Sequence, residues 1–117
     1  MNKKRVVVVC PGRGSYTRET SNYLSNPLPE MDEFIKTFDS KRAARNLIKI
    51  SELDKTTFRA KTHMTGENAS SLIYSCSLSD FISINKNKYD IVAICGNSMG
   101  WYISLALGNA ITFENGY

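Results

Sequence analysis

The sequence predicts a single α/β domain built on a parallel sheet with flanking helices. Two apolar runs rich in β-branched residues, 5–10 and 89–95, have the character of strands, and helical patterns lie between them. Each run ends in a glycine-containing loop, 11–15 after the first and 96–100 after the second. Because strands joined through helices form right-handed crossovers, we expect both loops at the carboxyl edge of one sheet, where α/β folds place their sites.

The first run reads RVVVVC, without the polar alternation of a half-exposed strand. Such runs are typical of strands that are covered on both faces of a parallel sheet. The second run, YDIVAIC, is also largely apolar. We therefore expect two parallel strands, adjacent or separated by one strand position, with helices on the faces of the sheet.

The helical patterns begin at Pro29, which can open a helix at its first turn. Apolar residues then recur at i, i+3, i+4 and i+7, which places them on one face of that helix: Met31, Phe34, Ile35 and Phe38. A second, basic helix is expected over 41–50. The Ser51-x-x-Asp54 pattern is a possible start for another helix.

The last helix before the second strand is predicted from Ala69 to about Ile84. Its apolar side chains face inward: Leu72, Ile73, Cys76 and Phe81. Residues 85–88, Asn-Lys-Asn-Lys, form the turn into the second strand. A further apolar helix follows that strand.

The composition, 117 residues with 42% hydrophobic and 22% charged, suits one soluble globular domain with one core. The three cysteines, Cys10, Cys76 and Cys95, lie far apart and form no metal-binding spacing, so we expect reduced, buried thiols and no metal. The first ten residues resemble a lipoprotein signal only superficially, because four valines are too short for its apolar region. With no run long enough to cross a membrane, a cytoplasmic protein is expected.

The net charge of +4 is concentrated between residues 41 and 61. This basic window holds two acids, Glu52 and Asp54, against seven basic residues, a net charge of +5: Lys41, Arg42, Arg45, Lys49, Lys55, Arg59 and Lys61. A solvated helical surface is the simplest interpretation, and a surface for an acidic protein or a phosphate-bearing ligand is the alternative. Nucleic acid is disfavoured because only Phe58 interleaves the charges.

The loop after the second strand contains ICGNSMGWY, in which Ser98 lies between Gly96 and Gly100. Strand, G-x-S-x-G and helix form the context of a nucleophile elbow, a sharp turn that exposes a reactive serine. The two glycines let the backbone pass through that turn without Cβ clashes. The alternative is an ordinary Gly/Asn/Ser turn between a strand and a helix.

The loop after the first strand reads CPGRGSY, and its Gly-x-Gly can aim backbone N–H groups at a developing oxyanion. Gly12 and Gly14 could instead begin a phosphate loop. The third glycine of that fingerprint is missing, however, because Thr17 holds its place, and no Walker lysine pattern is present. The sequence therefore favours an oxyanion-binding role for this loop, at the same edge of the sheet as Ser98.

Together the two motifs resemble those of malonyl-CoA:acyl carrier protein transacylases and the acyltransferase domains of polyketide and fatty acid synthases. CPGRGSY is similar to the family's F-P-G-Q-G-S-Q, and GNSMGWY is similar to its G-H-S-L-G-E-Y. The separation of the motifs also fits, as do the helix before the second strand and the final ALGNAITFENGY segment. The resemblance covers nearly the whole chain, weakly between about 17 and 62.

The resemblance implies that Ser98 accepts an acyl group from acyl-CoA and passes it to the phosphopantetheine thiol of acyl carrier protein. It also implies an oxyanion hole formed by the backbone N–H groups of Arg13 and Met99. Acyl-CoA is then a substrate, and no bound cofactor is expected. Two positions of the serine motif depart from the family: Asn97, beside the serine, replaces a histidine and Trp101 replaces a glutamate, so the acyl-group preference does not carry over.

The family's catalytic histidine and carboxylate-binding arginine both lie downstream of the helix with which this chain ends. The single histidine, His63, lies in a loop-like stretch and is expected to be a solvated side chain rather than the base. The chain therefore resembles the amino-terminal part of an acyltransferase, whose site a second chain or a downstream segment completes. Two alternatives stay open: a serine hydrolase of patatin or α/β-hydrolase type, and a non-catalytic fragment that binds a carrier protein.

Overall fold

The computed structural model describes residues 2–12, 14–96 and 98–108, apart from the side chain of Trp101. Strands and helices follow in the predicted alternation, with a parallel pair of strands and flanking helices. In chain order the elements are β1 (Lys4–Cys10), a 3-10 turn (Arg18–Thr20), α1 (Pro29–Ala44), α2 (Ile50–Lys55), α3 (Ala60–His63), α4 (Gly66–Ile82), β2 (Tyr89–Gly96) and α5 (Met99–Leu107).

The sheet consists of β1 and β2, which lie side by side and run parallel, as the sequence predicts. The register pairs Lys4 with Tyr89 at one end and Cys10 with Gly96 at the other, with one irregularity where Val92 of β2 has no partner in β1. Both strands therefore end at the same edge of the sheet. The loop after β1 and the turn after β2 leave the sheet next to each other.

The two faces of the sheet differ in what covers them. Val8 and Ile94 pack against the core, which side chains of α1, α2, α4 and α5 complete. On the opposite face Val7 is 54% exposed, Val9 71% and Val92 44%. The prediction of a strand covered on both faces is therefore wrong for the described residues, because their helices form one core on a single side of the sheet.

The first helix begins at Pro29 as predicted, because the fixed φ of proline suits the first turn and its missing N–H is not needed there. Met31, Ile35 and Phe38 are buried in the core. These positions follow the predicted periodicity. The helix then continues to Ala44, further than expected.

The predicted separate helix over 41–50 does not form. Residues 41–44 belong to α1, and the chain then turns at Asn46, whose φ of 58° lies in the left-handed region that asparagine tolerates. The next helix, α2, begins at Ile50, so Ser51 lies inside it rather than at its N-cap. The Ser51 backbone N–H and hydroxyl donate instead to the Asp39 carboxylate, at 3.2 and 2.6 Å.

Arg42 connects the helices around this turn. Its side chain is buried, and its Nε donates to the Ile48 carbonyl at 2.6 Å. The same guanidinium donates to the Ser71 hydroxyl at 2.8 Å and to the side-chain oxygen of Asn68. Arg42 is therefore a structural residue that joins the end of α1 to the start of α4, not part of a solvated basic surface.

The central helix is α4, which begins three residues before the predicted Ala69 and ends at Ile82. Its residues from Ser71 to Leu78 are all buried, and Phe81 is partly buried against the same core. Three of the four side chains predicted to face inward are thus buried. Neither α4 nor any other helix in the described ranges is long and apolar enough to cross a membrane.

The three cysteines are free thiols. Cys10 and Cys76 are buried as predicted, and burial raises the pKa of both thiols. Cys95 is exposed, because it pairs with Val9 in the sheet and lies on the uncovered face. The expectation that all three thiols are buried is therefore wrong for Cys95.

Candidate active site

Ser98 lies between the end of β2 and the start of α5, in a sharply turned backbone. Its φ is 56° and its ψ is −125°, a sparsely populated combination for a residue with a Cβ. An ordinary N-cap serine has extended backbone angles, and its hydroxyl accepts a hydrogen bond from the first turn of the helix. Ser98 has positive φ, makes no side-chain cap and is exposed. Its hydroxyl is therefore available to an external group.

The two glycines of G-x-S-x-G are required by backbone contacts. A Cβ on Gly96 would lie 2.1 Å from the carbonyl oxygen of Gly100. A Cβ on Gly100 would lie 2.4 Å from the carbonyl oxygen of Cys10, at the end of β1. The turn folds α5 back onto both strand ends, and only glycine fits at either position. This close approach distinguishes the turn from a loosely packed connection.

Met99 is the first residue of α5. The N–H groups of a helix's first turn have no partner within the helix, and the helix dipole places partial positive charge there. The predicted oxyanion donor Met99 thus lies directly beside Ser98. The other predicted donor, Arg13, and the neighbouring Asn97 lie outside the described residues, as does the side chain of Trp101.

The loop after β1 reaches the same edge of the sheet, since the Cβ position of Gly100 also lies 3.0 Å from the carbonyl oxygen of Pro11. Gly14 has a φ of 85°, which only glycine adopts without strain. The Ser15 hydroxyl donates to the Gly12 carbonyl at 2.8 Å. The structure therefore brings the two predicted motifs together at the carboxyl ends of β1 and β2.

A buried polar cluster that the sequence did not indicate fixes the end of this loop. The hydroxyl of Tyr16, the last residue of CPGRGSY, donates to Oδ1 of Asp54 at 2.8 Å, and both residues are buried. Oδ2 of Asp54 accepts the backbone N–H of Leu24 at 2.9 Å. Burial, reinforced by the hydrogen bond to Asp54, raises the pKa of Tyr16. The weak signal for this cluster was an acid directly after Leu53 in a short helix.

His63 belongs to this cluster, and the expectation that it is solvated is wrong. It is buried at the end of α3, where its ring stacks on Phe58 and Tyr16 with centroid separations of 5.2 and 6.2 Å. Its Nε2 lies 2.8 Å from the carbonyl oxygen of Leu53, and its Nδ1 accepts the Arg59 N–H at 3.0 Å. These partners assign the proton to Nε2. With both nitrogens engaged, His63 is not a base for Ser98.

Comparisons of the chain with protein-family models, with curated proteins and with solved structures find no match. Within the described ranges, no group of three or more histidine, cysteine, aspartate or glutamate residues is placed to hold a metal ion.

Proposed function

We propose that this chain carries the acyl-accepting serine of an acyltransferase, with Ser98 as the nucleophile. The observation that supports it best is the conformation of Ser98, which is strained, uncapped and exposed between two glycines that admit no side chain. Backbone strain of this kind costs about 1–3 kcal/mol and persists where the surrounding packing enforces it, often at functional sites. A turn that served only to connect β2 to α5 would not need it.

The proposed chemistry has two balanced steps. The Ser98 oxygen attacks the carbonyl carbon of an acyl thioester, the carbon–sulfur bond breaks, and the thiol leaves with the proton of the serine. A second thiol then attacks the acyl-serine ester, takes the acyl group and returns a proton to Ser98. In both steps the N–H of Met99 stabilises the charge that develops on the carbonyl oxygen.

The finer proposal comes from the resemblance of the two motifs. In this proposal coenzyme A is the leaving thiol, acyl carrier protein is the acceptor, and the transferred acyl group is of malonyl type. The reaction would belong to fatty acid or polyketide synthesis. The same resemblance implies the complete transacylase fold, of which the described residues form the strand pair and its helices on one face. A second chain or a downstream segment would then supply the base.

The surroundings of His63 favour a second candidate for this chain taken alone. Because the single histidine is engaged in the core, none is left to assist Ser98. General-base assistance is typically worth about 10²–10⁴-fold. The chain alone is therefore expected to acylate slowly, and a non-catalytic role in carrier-protein binding is the alternative. A serine hydrolase would share the elbow and differ in using water as the acceptor.

The test is intact-protein mass spectrometry after incubation with malonyl-CoA, with acetyl-CoA in parallel. We expect a slow, substoichiometric acyl adduct on the native chain and none on Ser98→Ala. Ser15→Ala is the matched control, because Ser15 is also exposed beside the same loops. An adduct that persists in Ser98→Ala would remove the assignment. Transfer to the carrier-protein thiol, rather than release of the free acid, separates the acyltransferase from the hydrolase.

The basic window supplies the proposed contact with the carrier protein, which is acidic. With Arg42 and Asp54 buried, it still exposes six basic residues: Lys41, Arg45, Lys49, Lys55, Arg59 and Lys61. Steering by such charges raises association rates and weakens with salt. Lys41→Glu/Arg45→Glu, which leaves Arg42 intact, should slow carrier-protein association about tenfold at low salt and little at high salt. Equal low-salt rates for both proteins would exclude this surface from docking.

A further inference from the structure

The backbone of β1 has one side that the sheet does not use. The Lys4 N–H donates to the Lys88 carbonyl at 3.0 Å, so the backbone polar groups of Lys4 face β2. In a parallel ladder these groups alternate in direction along the strand. Those of Arg5, Val7 and Val9 therefore point away from β2. Among the described residues β1 pairs with β2 alone, which leaves a row of donors and acceptors at an open edge.

Apart from Lys4 and Arg5 at its start, this edge lacks the features that usually prevent strand addition. Natural edge strands carry lysines, proline, inward-pointing charges or bulges that interrupt pairing, or they are very short. β1 has seven residues, no proline and four consecutive valines, a sequence typical of a central strand. Val9, at 71% exposed, is the most open of the large apolar side chains in the described residues. The edge is therefore suited to pairing, and no strand within the described ranges lies beside it except β2 on its other side.

A groove runs along the same side of the molecule, between β1 and α4. Its volume is about 390 Å³, and its walls include Val8 and Cys10 of β1 and Ile73 and Phe81 of α4. This volume lies within the usual range of binding pockets, about 300–1,000 Å³. The groove thus combines a strand edge on one side with a largely apolar helix face on the other. Extended peptides bind other proteins in grooves of this kind by adding a strand.

We propose that this groove binds an extended segment of a second polypeptide, which pairs with the edge of β1 and inserts alternate apolar side chains against α4. The β1 strand of another copy of this chain fits poorly, because its inward-facing Val8 and Cys10 already pack in their own core. The incoming strand must bring apolar side chains that are not already buried. A partner segment with alternating apolar and polar residues meets that requirement.

The groove also favours one positive charge on the partner segment. Asp80 lines it, and its Oδ1 accepts the Tyr23 hydroxyl at 2.6 Å. A carboxylate has about four acceptor positions in all, so one such bond leaves capacity for another donor. A lysine or arginine of the partner segment would pair with Asp80 when it lies on the side that faces α4. The expected pattern is therefore alternating apolar residues with one basic residue among them.

The experiment selects a random dodecapeptide phage library on the immobilised protein. We expect enrichment of alternating apolar peptides that contain a basic residue, and each is then synthesised for binding measurements. Val7→Pro removes an edge N–H that β2 does not use, whereas Val7→Thr keeps it and has a similar shape. The peptides should bind Val7→Thr like the native chain and bind Val7→Pro about tenfold more weakly or worse.

A second variant and a second measurement guard against loss of folding in Val7→Pro. Ile84→Lys places a charge in the groove wall away from the strand, and it should also weaken binding about tenfold or more. Hydrogen exchange at the Val7 and Val9 amides should slow when the peptide binds the native chain. The proposal is overturned if no peptide is enriched, if both variants bind as the native chain does, or if the exchange of these two amides does not change.

Discussion

Ser98 and His63 are the residue types of a nucleophile and its base, and their side chains have opposite surroundings. The Ser98 backbone is strained and its exposed hydroxyl makes no cap. The His63 side chain is buried, and a carbonyl oxygen and a backbone N–H engage its two nitrogens. The comparison teaches that residue type alone does not mark a catalytic group. What matters is whether its polar atoms are left free or taken up by the fold.

The tight turn around Ser98 should be the part most sensitive to a small change. In Gly100→Ala the added methyl would lie 2.4 Å from the Cys10 carbonyl oxygen, which is backbone and cannot rotate away. We expect a loss of more than about 3 kcal/mol in the free energy of unfolding, measured with urea. Gly108→Ala is the control, because its nearest contact is 3.1 Å and lies at the end of α5. Equal losses in the two variants would contradict the elbow geometry.

The buried cluster should respond to loss of a single oxygen. Tyr16→Phe removes the donor to Asp54 and leaves a buried carboxylate oxygen without that hydrogen bond. Unsatisfied buried polar groups cost about 1–3 kcal/mol, so urea unfolding should show a loss in that range. Tyr89→Phe serves as the control, since it removes a hydroxyl from a half-buried ring whose contact with Lys88 a phenylalanine keeps. A Tyr16→Phe variant as stable as the native chain would show that the hydrogen bond to Asp54 does not stabilise the fold.

A variant of His63 tests whether this residue stabilises the fold or assists Ser98. His63→Gln loses the ring contacts with Tyr16 and Phe58, so the free energy of unfolding should fall by about 1–2 kcal/mol. The rate of Ser98 acylation, measured by mass spectrometry below the unfolding transition, should change less than about twofold. A fall of a hundredfold or more with the fold intact would mean that His63 acts as the base after all.

The fourth effect is a dependence of stability on pH. Burial raises the pKa of Cys76 above 9.0 and that of Tyr16 above 10.0, and a hydrogen bond to Asp80 raises that of Tyr23 to about 12. Because the folded chain holds these protons more tightly than the unfolded chain, its stability is complete below about pH 9 and falls as pH rises toward 12. Each buried group adds at most about 1.4 kcal/mol per pH unit, and the half-exposed Tyr23 adds least.

Urea unfolding between pH 7 and pH 11 measures this slope. Tyr16→Phe should show a shallower decline above pH 10 than the native chain, since one of the protons is gone. A slope that the substitution leaves unchanged would assign the alkaline loss to other groups.

The strands and the tight turn around Ser98 could be predicted from the sequence because their signals are local. The β-branched runs, the periodicity after Pro29 and the G-x-S-x-G spacing each depend on neighbouring residues. The break after α1 was not predicted, although Asn46 is a residue type that ends helices with positive φ. The burial of His63 was not predicted either, because its partners Leu53 and Phe58 come close only through the turns between short helices.

The uncovered face of the sheet was not predicted, for a related reason. A run of valines indicates that a strand is suited to burial on both sides, and it does not say which elements cover it. No local sequence pattern identifies the acyl group or the base proposed for Ser98. Contacts between distant parts of the fold, or with a partner, determine both.

The open edge of β1 has a consequence for the behaviour of the chain at high concentration. A valine-rich strand whose outer backbone groups pair with no other described strand is a site for self-association into β aggregates. Lys3, Lys4 and Arg5 precede the valines, and all three are exposed. Charges that flank an aggregation-prone strand act as gatekeepers, because stacking strands in register would bring like charges together. The repulsion between these basic residues is therefore expected to add to the poor fit between the β1 strands of two copies.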